Sequence, residues 1–171
     1  LLTTIVHIVP HASDQGLPKA TAAAVLSVIG AVSMAGRIVM GTANDRIGGK
    51  RSLVFCFGLL IASFLWLQIA DRTWMLFLFA AVYGFAHGGF FTVMSPTVAE
   101  LFGTESHGLL FGIVFFTGTL GGAFGPFLTG CIYDATGSYR VAFMVLTALA
   151  AAGFALILSL RPHRRPAPQA P

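Results

Sequence analysis

The chain has 171 residues, of which 56% are hydrophobic and only 9% are charged, against roughly 25% charged in soluble domains. Several apolar runs exceed the ~18 residues that mark a membrane-helix candidate, and they lack the polar face a soluble helical core requires. The net charge of +4 in such a chain bears on membrane orientation, and no nucleic-acid partner is expected. The fold class read from these numbers is an all-α membrane protein in a lipid bilayer.

The chain opens Leu1-Leu2-Thr3-Thr4, with no Met and no basic region before an apolar core. This opening reads as the interior of a helix in a longer protein, with no signal peptide in view. Residues 1–10 form the end of that helix, which Pro10 is expected to stop. His11 to Lys19 reads as a polar turn containing Asp14, Gly16 and Pro18. Five full helices follow, at about 20–44, 52–70, 74–101, 107–133 and 139–160, each long enough at 1.5 Å per residue to cross ~30 Å of hydrocarbon. Residues 161–171, rich in Pro, Ala and Arg, read as a disordered cytoplasmic tail.

Loop charges set the expected orientation. Arg46, Lys50, Arg51, Arg161, Arg164 and Arg165 fall on one side, and Lys19, Arg72 and Arg140 on the other. The richer side is cytoplasmic by the positive-inside rule. Trp74, Tyr133 and Tyr139 then lie near the opposite interface, as an aromatic belt. The helices divide into two sets of three, 1–70 and 74–160, which is compatible with an inverted repeat. The expected setting is a bacterial inner (plasma) membrane.

Arg37 is the one charge in the stretch from Ala20 to Asn44. An intramembrane arginine costs about 2.5–3.5 kcal/mol on insertion scales, so it usually faces protein or a wet path. Ala20, Ala24, Ser27, Gly30, Ser33, Arg37 and Gly41 recur at helical spacing as one small stripe, which turns Arg37 toward the bundle and away from the Val25/Ile29/Val32 side. The competing reading is snorkelling to the cytoplasmic headgroups. Asp45 to Arg51 makes a charged turn.

Tyr83, His87 and Phe91 follow at four-residue spacing, beside Gly84 and Gly88. His87 could relay protons, or could equally be a packing histidine. Pro96 is expected to kink this helix, and Glu100 at its end needs a cation or water, with Arg46 or Lys50 as partner. Helix 107–133 carries Gly108/Gly112, Gly118/Gly122 and Gly121/Gly125 pairs before Pro126, a pattern of tight packing and bending. Thr117 and Thr119 could offer hydroxyls to a cavity or bond back to their own helix.

No catalytic constellation is present in the sequence, and the chain is not read as an enzyme. His7 and His11 have the spacing of a metal pair, but with Pro10 between them and no further ligand, no metal or cofactor is expected. Cys56 and Cys131 read as small packing residues.

Gly36-Arg37-Ile38-Val39-Met40-Gly41 followed by Asn44-Asp45-Arg46-Ile47-Gly48-Gly49-Lys50-Arg51 resembles the second copy of the Gly-x-x-x-Asp-Arg-x-Gly-Arg-Lys/Arg loop of the major facilitator superfamily. Pro96…Ala99-Glu100-Leu101-Phe102-Gly103, Gly125-Pro126 and Asp134-x-x-Gly137-Ser138-Tyr139 resemble its C-terminal half. The opening His7-x-x-Pro10-x-Ala12-x-Asp14-x-Gly16, with Arg37, is similar to the monocarboxylate and oxalate/formate carrier branch. The resemblance implies twelve helices in two halves, with the N-terminal six-helix half of the same transporter as partner and a substrate bound between them. It implies that Arg37 engages a carboxylate, with two charge-assisted bonds from its planar fork. Ser33, Tyr83, His87 and Thr117 join it as candidate substrate-binding residues. Gly41, Asp45, Arg46, Gly48, Lys50, Arg51 and Glu100 form the candidate gating loop network. Ser33 stands where some monocarboxylate carriers have an acidic residue, and helix 107–133 lacks the second cation of oxalate-type carriers. A monocarboxylate, moved by symport with a proton or by antiport, fits this half better than a dianion. Drug or amphipath efflux, and a non-transporting sensor or assembly subunit, are the alternative readings.

Overall fold

Within hydrocarbon a helix satisfies every backbone hydrogen bond inside its own segment, and helices are what the sequence forms. The computed structural model describes residues 1–160, in six helices: α1 (Leu2–Asp14), α2 (Lys19–Ile47), α3 (Gly49–Leu67), α4 (Thr73–Phe102), α5 (His107–Thr136) and α6 (Tyr139–Ser159). The last five are long and apolar enough to cross a membrane. No strand occurs among the described residues. The tail assigned to 161–171 lies outside them.

Two boundaries differ from the sequence reading. Pro10 does not end α1, which runs on to Asp14. A proline removes one N–H and crowds the carbonyl four residues back, yet here tertiary contacts hold the next turn. Ala12 is fully buried, His11 packs edge-on against Tyr139 and Phe143, and the Gln15 side-chain amide donates to the Ala70 carbonyl at 2.8 Å. The turn therefore shrinks to Gln15–Pro18, with Gly16 at φ +84°. The charged 45–51 segment is likewise not a loop. Asp45, Arg46 and Ile47 complete α2, Lys50 and Arg51 open α3, and the reversal is made at Gly48 alone, whose φ of +83° favours glycine. α4 continues through Pro96 to Phe102.

The body of the fold is α2 against α4. Ala22, Val25, Ile29, Ser33, Gly36 and Met40 form the buried face of α2. Opposite them, Gly84 and Gly88 let the two backbones touch: a Cβ at Gly84 would sit 2.6 Å from the Ile29 carbonyl oxygen, and one at Gly88 would run into the Ser33 carbonyl. Gly36 makes the reciprocal approach to the Phe85 carbonyl. Small residues at an interface permit this close packing, which dispersion alone must hold within lipid. α3 covers α4 with Cys56, Leu60 and Phe64, and Phe143 of α6 joins the same core.

α5 is the exception. Only Thr129 of its thirty residues is buried. Gly122 and Gly125 approach Leu2 and Thr3 of α1, but Gly108, Gly112, Gly118 and Gly121 meet nothing within 4 Å. The glycine pattern that suggested tight packing is thus mostly open, and the backbone-to-backbone contacts of the α2–α4 seam are made at Gly36, Gly84 and Gly88. Cys56 is buried as expected, whereas Cys131 on α5 is exposed.

Candidate functional site

The predicted small stripe of α2 does not behave as one face. Ser33 is buried and Gly41 half-buried, whereas Gly30 and Arg37 are exposed. Val25 and Ile29, assigned to the far side, instead point into the core. The physical reason is the close α2–α4 approach, which seats Ile29 against Gly84 and Ser33 against Gly88 and turns Arg37 off the packing face. Arg37 therefore stands on the outside of this six-helix body. One turn before it, Ser33 packs against Gly88, the neighbour of His87 on α4.

His87 is 8% exposed, and neither ring nitrogen has a hydrogen-bond partner among the described residues. An unpaired buried polar group is costly, so this imidazole marks a place built for a polar partner. Tyr83 stacks on it at 5.8 Å between centroids, and Phe91 meets it edge-on at 5.1 Å. The helical spacing seen in the sequence thus becomes a real aromatic column. Tyr83 is not free for a ligand, however. It is fully buried, and its hydroxyl donates to the Leu1 carbonyl at 2.5 Å. The Ser33 hydroxyl likewise bonds back to the Gly30 carbonyl at 2.7 Å. Thr117 is exposed on α5 and donates to Ile113, and Thr119 donates to Phe115. The five candidate substrate residues therefore separate. Arg37 and His87 have polar atoms without partners among the described residues, on two helices that pack together, Tyr83 stacks on His87, and Ser33 and Thr117 bond within their own helices.

At the charged end the network is built differently from expectation. Glu100 pairs with neither Arg46 nor Lys50; its Oε2 accepts the Gly49 backbone N–H at 2.6 Å. A carboxylate at a helix N-terminus satisfies an orphan donor and complements the dipole of α3. Gly49 allows this, since a Cβ there would fall 2.8 Å from the Thr97 Cα. The Lys50 ammonium instead donates to the Leu158 carbonyl at 2.8 Å and to that of Leu160, closing the C-terminus of α6. One residue pair at the start of α3 thus ties down the ends of both α4 and α6. Asp45, Arg46 and Arg51 are exposed, and a Cβ at Gly41 would keep an ordinary 3.4 Å from Thr92.

The opposite end holds a cluster that sequence reasoning missed. The His7 Nε2–H donates to the Pro126 carbonyl at 3.0 Å, which leaves Nδ1 as acceptor for the Tyr139 hydroxyl at 3.4 Å. Tyr139 is 7% exposed and stacks on Tyr133 at 4.3 Å, so it faces protein, whereas Trp74 is 57% exposed and Tyr133 half-buried. His7 and His11 sit on one continuous helix, and both are engaged by α5 or α6. Their signal was the four-residue spacing, discounted because Pro10 was expected to break the helix.

The sequence model of the Major Facilitator Superfamily matches residues 1–171. The chain belongs to that superfamily. Curated relatives include monocarboxylate transporter 13 of Rattus norvegicus, 32% identical over 160 residues, covering 92% of this chain and 37% of that protein. Monocarboxylate transporter 12 of the same species is 29% identical over 158 residues, covering 90% and 31% respectively. An MFS-type transporter 1 from the fungus Ophiocordyceps sp. (strain BCC 1869) is 31% identical over 117 residues, 67% of this chain and 26% of the relative. The chain spans about a third of the length of these proteins, which are transporters and not enzymes. In this superfamily member the all-helical architecture and the five apolar spans make an integral membrane protein.

Proposed function

We propose that the chain forms the second six-helix half of a secondary carrier for a small organic anion, a monocarboxylate, operating by alternating access against a first half. Arg37 is the anion-binding group. The observation that carries this reading is an exposed guanidinium in an apolar helix, packed against a helix whose buried imidazole has no hydrogen-bond partner among the described residues. A cleft between halves would give both groups a shared ligand, and a carboxylate matches the fork of Arg37. The names of the relatives support the same ligand class. His87 is the group we assign to a proton accompanying the anion, because its imidazole is buried without a hydrogen-bond partner among the described residues, on the helix that packs against the one bearing Arg37. Gly48, Gly49, Lys50 and Glu100 would hold the ends of α3, α4 and α6 as one rigid unit during rocking. The charge count supports a cytoplasmic position for the Gly48 end. Since the named relatives are eukaryotic, the setting proposed is a plasma membrane, without a specifically bacterial one.

The test is uptake of labelled lactate, pyruvate and formate into proteoliposomes carrying the full-length protein. Arg37→Lys keeps the charge and loses the fork; Arg37→Gln loses both. Each lost charge-assisted bond is worth ~1.5–3 kcal/mol, so uptake should fall roughly 10- to 100-fold at equal protein abundance. Unchanged uptake in both variants removes Arg37 from the site. Flux of neutral amphipaths that monocarboxylates do not compete with would favour an efflux carrier instead.

A further inference from the structure

At the end of the bundle opposite Gly48, one side-chain amide serves two partners, and that fixes the protonation of one of them. The Gln15 Nε2 donates to the Ala70 carbonyl at 2.8 Å and lies 3.2 Å from His11 Nε2. A carbonyl can only accept, so the amide atom facing Ala70 is the NH₂ group and not the oxygen. The His11 Nε2 facing the same NH₂ must then be an acceptor, which leaves the ring proton on Nδ1 and the imidazole neutral. A charged His11 carries an N–H at both ring positions and would oppose a donor with a donor. Turning the amide over does not resolve the conflict, because Oε1 would then face the Ala70 carbonyl. Gln15 can serve Ala70 together with a neutral imidazole, or an imidazolium without Ala70, but not Ala70 and an imidazolium at once.

The Gln15 bond ties the end of α1 to the turn at 68–72 between α3 and α4, while Tyr139 and Phe143 of α6 hold the His11 ring edge-on at 5.7 and 5.0 Å. A cavity of about 460 Å³ adjoins both His11 and Gln15 and gives the ring a route to water. Around it, Asp14 of α1 and Asp71 of the 68–72 turn favour a charged imidazole, and Arg140 of α6 opposes one. Tyr133 of α5 and Tyr139 of α6 face the same space as uncharged phenols. One turn earlier on α1, His7 also touches Tyr139. We propose that His11 and Gln15 form a pH-sensitive latch, which ties α1 to the α3–α4 turn while His11 is neutral and lets go when His11 takes up a proton. The tie is thus present at neutral pH and lost as the pH falls. By the orientation proposed above, on which this one point rests, the latch faces away from the cytoplasm and acid outside the cell would free α1.

The test is amide hydrogen exchange in the full-length protein in detergent, corrected for the intrinsic pH dependence of exchange. Its reporters are the backbone N–H groups of Gln15, Gly16 and Leu17, which bond to the His11, Ser13 and Ala12 carbonyls. A closed latch excludes the proton, whereas a released imidazole titrates near ~6.5, so exchange at these amides should accelerate about tenfold between about pH 7.5 and about pH 5.5. His11→Gln offers an oxygen that accepts and never titrates, and His11→Phe keeps the edge contacts with α6; both should abolish the pH dependence. Gln15→Leu should exchange fast at both pH values. Wild-type exchange that does not change with pH overturns the proposal, as does a Gln15→Leu variant that exchanges as slowly as the closed wild type. So does pH dependence that survives in either His11 variant; its loss in His7→Leu instead would assign it to the neighbouring histidine. No flux is measured, so a failed latch leaves the carrier reading standing, and a working latch without monocarboxylate uptake counts against that reading alone.

Discussion

Gly88 has room for a hydrogen and little else, because the Ser33 carbonyl lies where a Cβ would go. Gly88→Ala should force α2 and α4 apart and cost about 1–3 kcal/mol through overpacking. The expected result is a Tm several degrees lower for the detergent-purified full-length protein. Gly58 on α3, with nothing within 4 Å of its notional Cβ, is the contrast; Gly58→Ala should be neutral or stabilising by up to ~1 kcal/mol, since alanine is the better helix former. At the charged end, Glu100→Ala would strip the Gly49 N–H of its acceptor. Leaving that donor unmet costs about 1–3 kcal/mol, and Glu100→Gln, which keeps a neutral acceptor, should lose less. The order Ala worse than Gln in thermal melts would identify the carboxylate as a helix cap; the reverse order would point to a surface charge.

At the scale of elements, α1 is short and carries a proline within it, yet it links two other helices. His7 joins it to the Pro126 carbonyl of α5 and the Tyr139 hydroxyl of α6. His7→Leu keeps the apolar volume and removes both links, at about 0.5–1.5 kcal/mol per net hydrogen bond. The Tm should drop, with a smaller drop for Tyr139→Phe, which removes only the 3.4 Å contact. Equal stability of His7→Leu and the wild type would mean that packing alone holds α1 to α5. The contrast between α4 and α5 follows the same physics. Both carry several glycines, but Gly84 and Gly88 of α4 face a partner backbone, and most of those of α5 face open space.

For the whole molecule, the apolar surface of α5 sets the terms. Leu109, Phe116, Phe124 and Phe127 are each more than 60% exposed, and Arg37 stands outside the six-helix body. A carrier needs a wall opposite that arginine. Six helices expressed by themselves should therefore give no monocarboxylate uptake above empty vesicles, and co-expression with the first half should restore it. Uptake by the six helices alone would remove the two-half reading.

How much was legible in the sequence depended on the range of the forces involved. Helix number, membrane class, the family motif around Arg37 and the aromatic column of Tyr83, His87 and Phe91 follow from hydropathy and from three- and four-residue spacing, which are local properties. Which face of each helix packs was not legible. In an apolar helix every face is greasy, so no polar stripe reports the buried side. The reading of Ala20 to Gly41 as one small packed stripe failed for that reason, as did the reading of the α5 glycines as packed. The sequence by itself determined six helices and an isolated intramembrane cation. Only the tertiary structure decided that Pro10 is bridged, that Glu100 caps α3 instead of meeting Arg46 or Lys50, and that His87 has no hydrogen-bond partner among the described residues. Those outcomes arise where backbones or side chains distant in sequence come within a few ångströms, and no local pattern encodes that distance.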